Sequence, residues 1–364
     1  MQDTNAPSII EIAPGRALPQ LLVLTNLAKL ESKFGLDGLN ELSEAARTKG
    51  LTINDAHTWT DIKRFVETTT AWDGVLLIGG HDIIPSVALD VLPPELKKVV
   101  GTDFDPDKWV VWSDDHYADF NGDGYPDVPV SRIPDIGSLS FVKACLQAVG
   151  ASTPVSRFGI RNSKRPYAEI VFSFLPGTQP ILVSTPTIAS SLSPSEVCAD
   201  QFYAVLHGAD TRADEMMGED DAGNCVTALD VASVGYAKAK VVMLAGCWSN
   251  RHIREPAAQV PSTGPNFLSP KNSLALAFLA RGSVAVVGPT GAHFSPREEP
   301  FTAFSGSIHM DFWEAVRKGG APAQALYDAK NRKLKQIVKG GLSPHTLACE
   351  FKTLWQFTCL GLGW

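Results

Sequence analysis

Short apolar runs rich in β-branched residues punctuate the chain without alternating with polar ones. Leu21–Leu24, Val75–Ile78, Ile181–Val183, Phe202–Leu206, Val241–Ala245 and Ser283–Val287 are of this kind. Such runs predict strands covered on both faces. Helical patterns lie between them. Asp37–Lys49, stopped by Gly50, is one. A second follows the capping-box spacing of Thr58-Trp59-Thr60-Asp61 and puts Ile62, Phe65 and Val66 on one face. Ser138 caps a third, whose inner face is Phe141, Val142 and Cys145. Ala168–Phe174, ended by Pro176-Gly177, and Leu274–Leu279 add two more. Leu51–Asn54 reads as a short extended piece, and the proline-rich stretch Ser249–Asn272 as a surface loop. Strands alternating with helices predict an α/β fold: a doubly wound, mostly parallel sheet with helices on both faces. In such sheets ligands sit beyond the carboxyl ends of the strands.

Composition narrows the classes. The 364 residues are 44% hydrophobic and 20% charged, which excludes wholesale disorder. The 30 glycines and 25 prolines imply many sharp loops. A formal charge of −7 and a pI near 5.6 argue against a nucleic-acid backbone binder. No apolar run approaches the ~20 residues of a membrane span. Met1–Pro14 lacks the basic and apolar segments of an export signal, so a cytoplasmic location is expected. No two of the six cysteines have a metal-like or redox spacing. Cys145, Cys198, Cys225, Cys349 and Cys359 are expected to be buried thiols.

Two predicted strands end on reactive side chains. Phe202–Leu206 runs into His207-Gly208, and Val241–Ala245 into Gly246-Cys247, forty residues further on, with a crossover helix expected between them. A thiol nucleophile needs an imidazole to take its proton and return it to the leaving amine. It also needs N–H donors aimed at the tetrahedral oxyanion. Gly208 has no Cβ to keep backbone and substrate apart, and the Gly208 and Cys247 amides are the natural oxyanion donors.

Leu206-His207-Gly208 and Ala245-Gly246-Cys247 resemble the two strand ends of the caspase–legumain–gingipain superfamily of cysteine peptidases. Other segments are similar to its gingipain-like branch: Gly74–Pro85, Ser113–Asp119 through Val130–Pro134, Ala280–Gly288 and Leu354–Gly363. The resemblance spans about residues 20–363. Phe158–Pro166 departs from it, being short and polar where the family places another strand and part of its specificity pocket. The resemblance implies one caspase-like peptidase domain over 1–364, with an N-terminal part (1–135) and a catalytic part (136–364). It implies a regulated bacterial cysteine endopeptidase acting on polypeptides, with His207 as general acid/base, Cys247 as nucleophile and no cofactor required for the chemistry. It also implies activation by a protein partner or by a cut in the loop Trp248–Asn272. The rival expectation is an idle scaffold of the same fold in a multi-protein assembly.

Four further features bear on the site. Asp119, Asn121, Asp123, Tyr125 (through its carbonyl) and Asp127 match the first nine positions of an EF-hand Ca²⁺ loop, with Gly124 at position 6 and Val130 where the bidentate Glu belongs. Asp114 or Asp115 would supply the missing oxygen. The alternative is an Asx-rich turn without metal. His81 and His116 are expected to anchor loops and His252 to line the cleft, while His293 and His309 are further imidazoles competing for the base role. Asp210, Asp214, Glu215, Glu219, Asp220 and Asp221 form an acidic run, either a solvated loop or a wall for a basic substrate residue. Lys164 and Arg165 pull the other way. Asp210, Asp214, Trp248 and Arg165 are therefore the pocket candidates, with a slight preference for a basic residue before the cut.

Overall fold

The apolar runs become the interior of a ten-stranded sheet. The computed structural model describes residues 18–58, 61–62, 72–150 and 153–364. β1 (Leu21–Thr25) passes through Asn26, whose side chain accepts from the Lys29 N–H, into α1 (Leu27–Arg47). Then come β2 (Ile53–Asp55), β3 (Gly74–Ile78), β4 (Val87–Asp90), α2 (Pro94–Val100), β5 (Val110–Ser113), β6 (Val130–Ile133) and α3 (Leu139–Gln147). The chain continues with β7 (Arg157–Asn162), α4 (Tyr167–Phe172), β8 (Leu182–Ser184), α5 (Pro194–Val197), β9 (Gln201–Val205), β10 (His207–Ala209), β11 (Arg212–Glu219), β12 (Cys225–Asp230) and β13 (Val241–Ala245). α6 (Leu274–Ala280), β14 (Ala285–Pro289), α7 (Ser305–Arg317), α8 (Pro322–Val338), α9 (Pro344–Gln356) and β15 (Phe357–Gly361) complete it.

The sheet order is β2-β1-β3-β6-β15-β14-β13-β9-β7-β8. Neighbours are parallel except β14 and β15, which run antiparallel. α1, α3 and α6 pack on one face through Leu30, Leu42, Phe141, Val142 and Phe278. α4, α7 and α8 cover the other through Tyr167, Phe312, Trp313 and Leu326. This is the doubly wound arrangement expected. No helix among the described residues is long and apolar enough to cross a membrane.

The structure corrects several local expectations. α1 begins ten residues before Asp37, because Gly35, at φ 75°, breaks it into two stretches. Trp59, Thr60, Phe65 and Val66 lie outside the described residues, while Thr58 and Asp61 exchange the two bonds of the expected cap. The strand expected at Ser283–Val287 starts two residues later, since Gly282 turns the chain and Ser283 Oγ bonds the Ala239 carbonyl. Phe158–Pro166 does hold a strand. In β7, Phe158 and Ile160 enter the core, and Gly159 leaves room for the Phe172 ring. No α-helix separates His207 from Cys247. The antiparallel sheet β10-β11-β12 and a 3-10 turn fill that interval. Two of the five background cysteines, Cys198 and Cys225, are exposed rather than buried. The supposed surface loop begins in the interior, with Ser249, Asn250, Arg251 and His252 all buried.

Candidate active site

β9 and β13 are adjacent and in register, Val205 opposite Ala245, so their next residues leave the sheet together. The Leu206 N–H still bonds the Ala245 carbonyl. Beyond it, the Gly208 and Cys247 backbones approach so closely that a Cβ on Gly208 would collide with the Cys247 carbonyl oxygen. Only glycine fits there. The expected pair of strand ends is thus one local structure.

The Cys247 sulfur accepts the His293 N–H at 3.2 Å, and the Gly208 N–H also acts on it. Burial pushes the thiol above its ordinary range and outweighs the help of these two N–H groups. Trp248, next in sequence, sits at φ 52° in the left-handed region, so the turn after the sulfur is strained. That turn is held from a distance. Asp107 accepts the Trp248 indole N–H at 2.7 Å, the Ala292 N–H at 2.5 Å and the Lys352 ammonium at 2.6 Å. Lys352 also pairs with Asp105, and all three ionic groups are buried. One carboxylate therefore positions the residue after Cys247 and the residue before His293. Trp248 is only 8% exposed, so this pocket candidate is turned inward onto Asp107.

His207 Nε2 lies 3.1 Å from Glu219 Oε2. Hydrogen bonding to His207 lowers the Glu219 pKa. The hairpin from β10 to β11 returns Glu219 to the imidazole, and Ser163 Oγ bonds the Glu219 carbonyl at 3.4 Å. Sequence reasoning placed Glu219 in the acidic run without seeing it as a partner of His207, and likewise missed Asp107. Spacing carries no trace of either contact.

The rest of the acidic run is spread along β11 and its turn. Asp214 and Glu215 pair with Arg212, and Asp220 caps its own turn through Ala222 and Asn224. Asp210 offers its carbonyl to Arg251 at 2.7 Å. Arg165, in the turn after β7, donates to Ser295 Oγ at 2.8 Å. The other histidines take other places. His81 Nδ1 accepts the Ser86 N–H, anchoring that loop as expected. His252 and His309 are buried, and burial lowers each to about 3. His309 Nδ1 meets the hydroxyls of Tyr203 and Tyr167.

The acidic loop Asp119–Asp127 closes on itself. Asp119 accepts the N–H groups of Gly122, Asp123 and Gly124, Asn121 accepts that of Asp123, and Asp123 that of Tyr125. Asp127 accepts those of Phe120 and Asn121. Asp114 and Asp115 do not supply a further oxygen to the loop. Asp114 forms a two-pronged ion pair with buried Arg132, and Asp115 pairs with Lys330. Among the described residues, no group of three or more His, Cys, Asp or Glu side chains is arranged to hold a metal ion.

No family model matches the sequence. No curated protein matches it either. Solved structures do match the fold. Over 95% of this chain and 77% of the other, the structure resembles the Arg-specific cysteine proteinase gingipain R (RgpB), with a TM-score of 0.55 and 12% identity. The complex of Porphyromonas gingivalis RgpB pro- and mature domains matches over 94% of this chain and 78% of that one, with a TM-score of 0.56 and 12% identity. A structure described only as a protease gives 0.53 and 13%, over 94% and 77%. The fold is that of the caspase-like cysteine peptidases. In this chain, β9 and β13 lie side by side in the sheet and end at His207-Gly208 and Cys247.

Proposed function

We propose that this protein is a cysteine endopeptidase acting on polypeptides. The observation that carries the reading is the joining of His207, Gly208 and Cys247 at two adjacent strand ends, with Glu219 on Nε2 of the imidazole. Glu219 favours the tautomer protonated at Nε2, leaving Nδ1 as the base. Nδ1 takes the Cys247 proton as the sulfur attacks the scissile carbonyl carbon. The Gly208 and Cys247 amides hold the oxyanion. When the tetrahedral species collapses, the C–N bond breaks and the amine leaves with the proton from His207. His207 then takes a proton from water, whose oxygen attacks the thioester. The acid product leaves, and the proton returns to the sulfur.

Activation by a cut or a partner protein belongs to the same proposal. It would act on the exposed part of the loop near Arg254 and Gln259–Thr263, because the start of the loop is buried and tied to Asp107 and Asp210.

The test is covalent labelling by a peptidyl acyloxymethyl ketone, with the modified residue located by mass spectrometry. Label on Cys247 that is lost in Cys247→Ala and retained in Cys225→Ala supports the reading. His207→Ala should lose at least ~10²-fold in peptidase rate. Absence of label on Cys247 would favour the idle scaffold. Small alkylators are poor probes here, since they also reach the exposed Cys198 and Cys225.

A further inference from the structure

Arg165 sits three residues past β7, the strand paired with β9. Two elements of the site fix its guanidinium. Nη1 donates to the Lys164 carbonyl in its own turn at 3.1 Å, and Nε donates to Ser295 Oγ. Ser295 lies two residues past His293, whose N–H reaches the Cys247 sulfur. The same loop therefore positions both the nucleophile and this guanidinium, and the two are within electrostatic reach of each other.

Among the described residues, no carboxylate pairs with Arg165. The carboxylate that acts on it, Glu219, more weakly than Tyr167 and Cys247 do, is engaged by His207. Lys164 and Arg297 also act on Glu219, and Arg297 on Arg165 itself. One occupied carboxylate thus shares its field with three cations. A half-buried guanidinium without a counter-ion is held at a cost, which an arriving carboxylate offsets. Its planar fork suits a two-pronged bond to such a group. Of the carboxylates that would serve a basic residue, Asp214 and Glu215 are committed to Arg212 and Asp220 to its own turn, Asp210 acts on Arg251, and Asp221 is exposed.

Building on the peptidase reading, we propose that Arg165 receives the side chain of the substrate residue before the cut, and that this residue is Asp or Glu. This reverses the basic preference expected from the sequence.

The experiment uses the full chain and four peptidyl acyloxymethyl ketones that differ only in the last residue: Asp, Glu, Arg or Leu. The rate of labelling at Cys247 is measured for each. The Asp or Glu compound should react at least ~30-fold faster than the Arg compound, the scale of one desolvated charge pair. In Arg165→Gln the ratio of Asp to Leu rates should fall by a similar factor, and Arg165→Glu should turn the preference towards Arg. Fastest labelling by the Arg or Leu compound, or equal rates, overturns the proposal and leaves the peptidase reading standing. No labelling of Cys247 by any of the four overturns both. The unmutated protein alone decides, so a poorly folding variant does not blur the result.

Discussion

Burial favours the neutral thiol at Cys247. Burial raises its pKa, so less thiolate exists at each pH than for a free cysteine. Labelling of Cys247 by a peptidyl acyloxymethyl ketone should therefore keep accelerating through pH 9, with no plateau near neutrality. A plateau below pH 7 would instead mean a preformed thiolate–imidazolium pair. Glu219→Gln keeps a hydrogen-bond acceptor but removes the charge that steadies the imidazolium. The expected loss in kcat is about 10- to 100-fold with an unchanged melting curve; no change would reduce Glu219 to a surface contact. At this scale the sequence was half legible. His207 and Cys247 announce themselves because each ends an apolar strand. Glu219 and Asp107 do not, because each acts on a residue brought near only by folding: twelve positions away for the first, and 141 and 185 for the second.

Among the elements, the central strands were readable because both faces are buried and the runs are uniformly apolar. β7 escaped notice because Arg157 and Arg161 interrupt it, although Phe158 and Ile160 point into the core. β11 was hidden for a similar reason, since its Asp and Glu alternate with buried Ala213, Met216 and Gly218. The Asp119–Asp127 loop was legible for its Asx turns, in which Asp119 and Asp127 accept backbone N–H groups. Millimolar Ca²⁺ and chelator should therefore give the same melting temperature, whereas saturation at 100 times the dissociation constant would add about 2.7 kcal/mol. Asp119→Ala should cost about 1–3 kcal/mol whether or not Ca²⁺ is present, since Asp119 is buried and caps three N–H groups. A Ca²⁺-dependent gain lost in that variant would make the loop a metal site.

The whole molecule should be sensitive to mild acid. His252 and His309 hold pKa values near 3 inside, against about 6.5 in the unfolded chain. Between those values the unfolded state binds more protons, so stability falls as pH drops through this window. Each histidine contributes roughly 1.4 kcal/mol per pH unit. The lowered carboxyls of Asp114 and Asp135 continue the loss below 3.8. The raised carboxyls of Asp105 and Asp115 oppose it, in a window that starts at 3.8. Melting temperature should therefore drop between pH 6.5 and 5, and His309→Gln should flatten the drop. A constant melting temperature over that interval would contradict the account.

Asp107 ties the turn after Cys247 to Lys352, in α9 close to the end of the chain. A nascent polypeptide emerging from the ribosome therefore exposes its sulfur and imidazole a hundred residues before the ammonium that steadies their surroundings arrives. The turn after Cys247 can therefore reach its described geometry only once Lys352 has joined it.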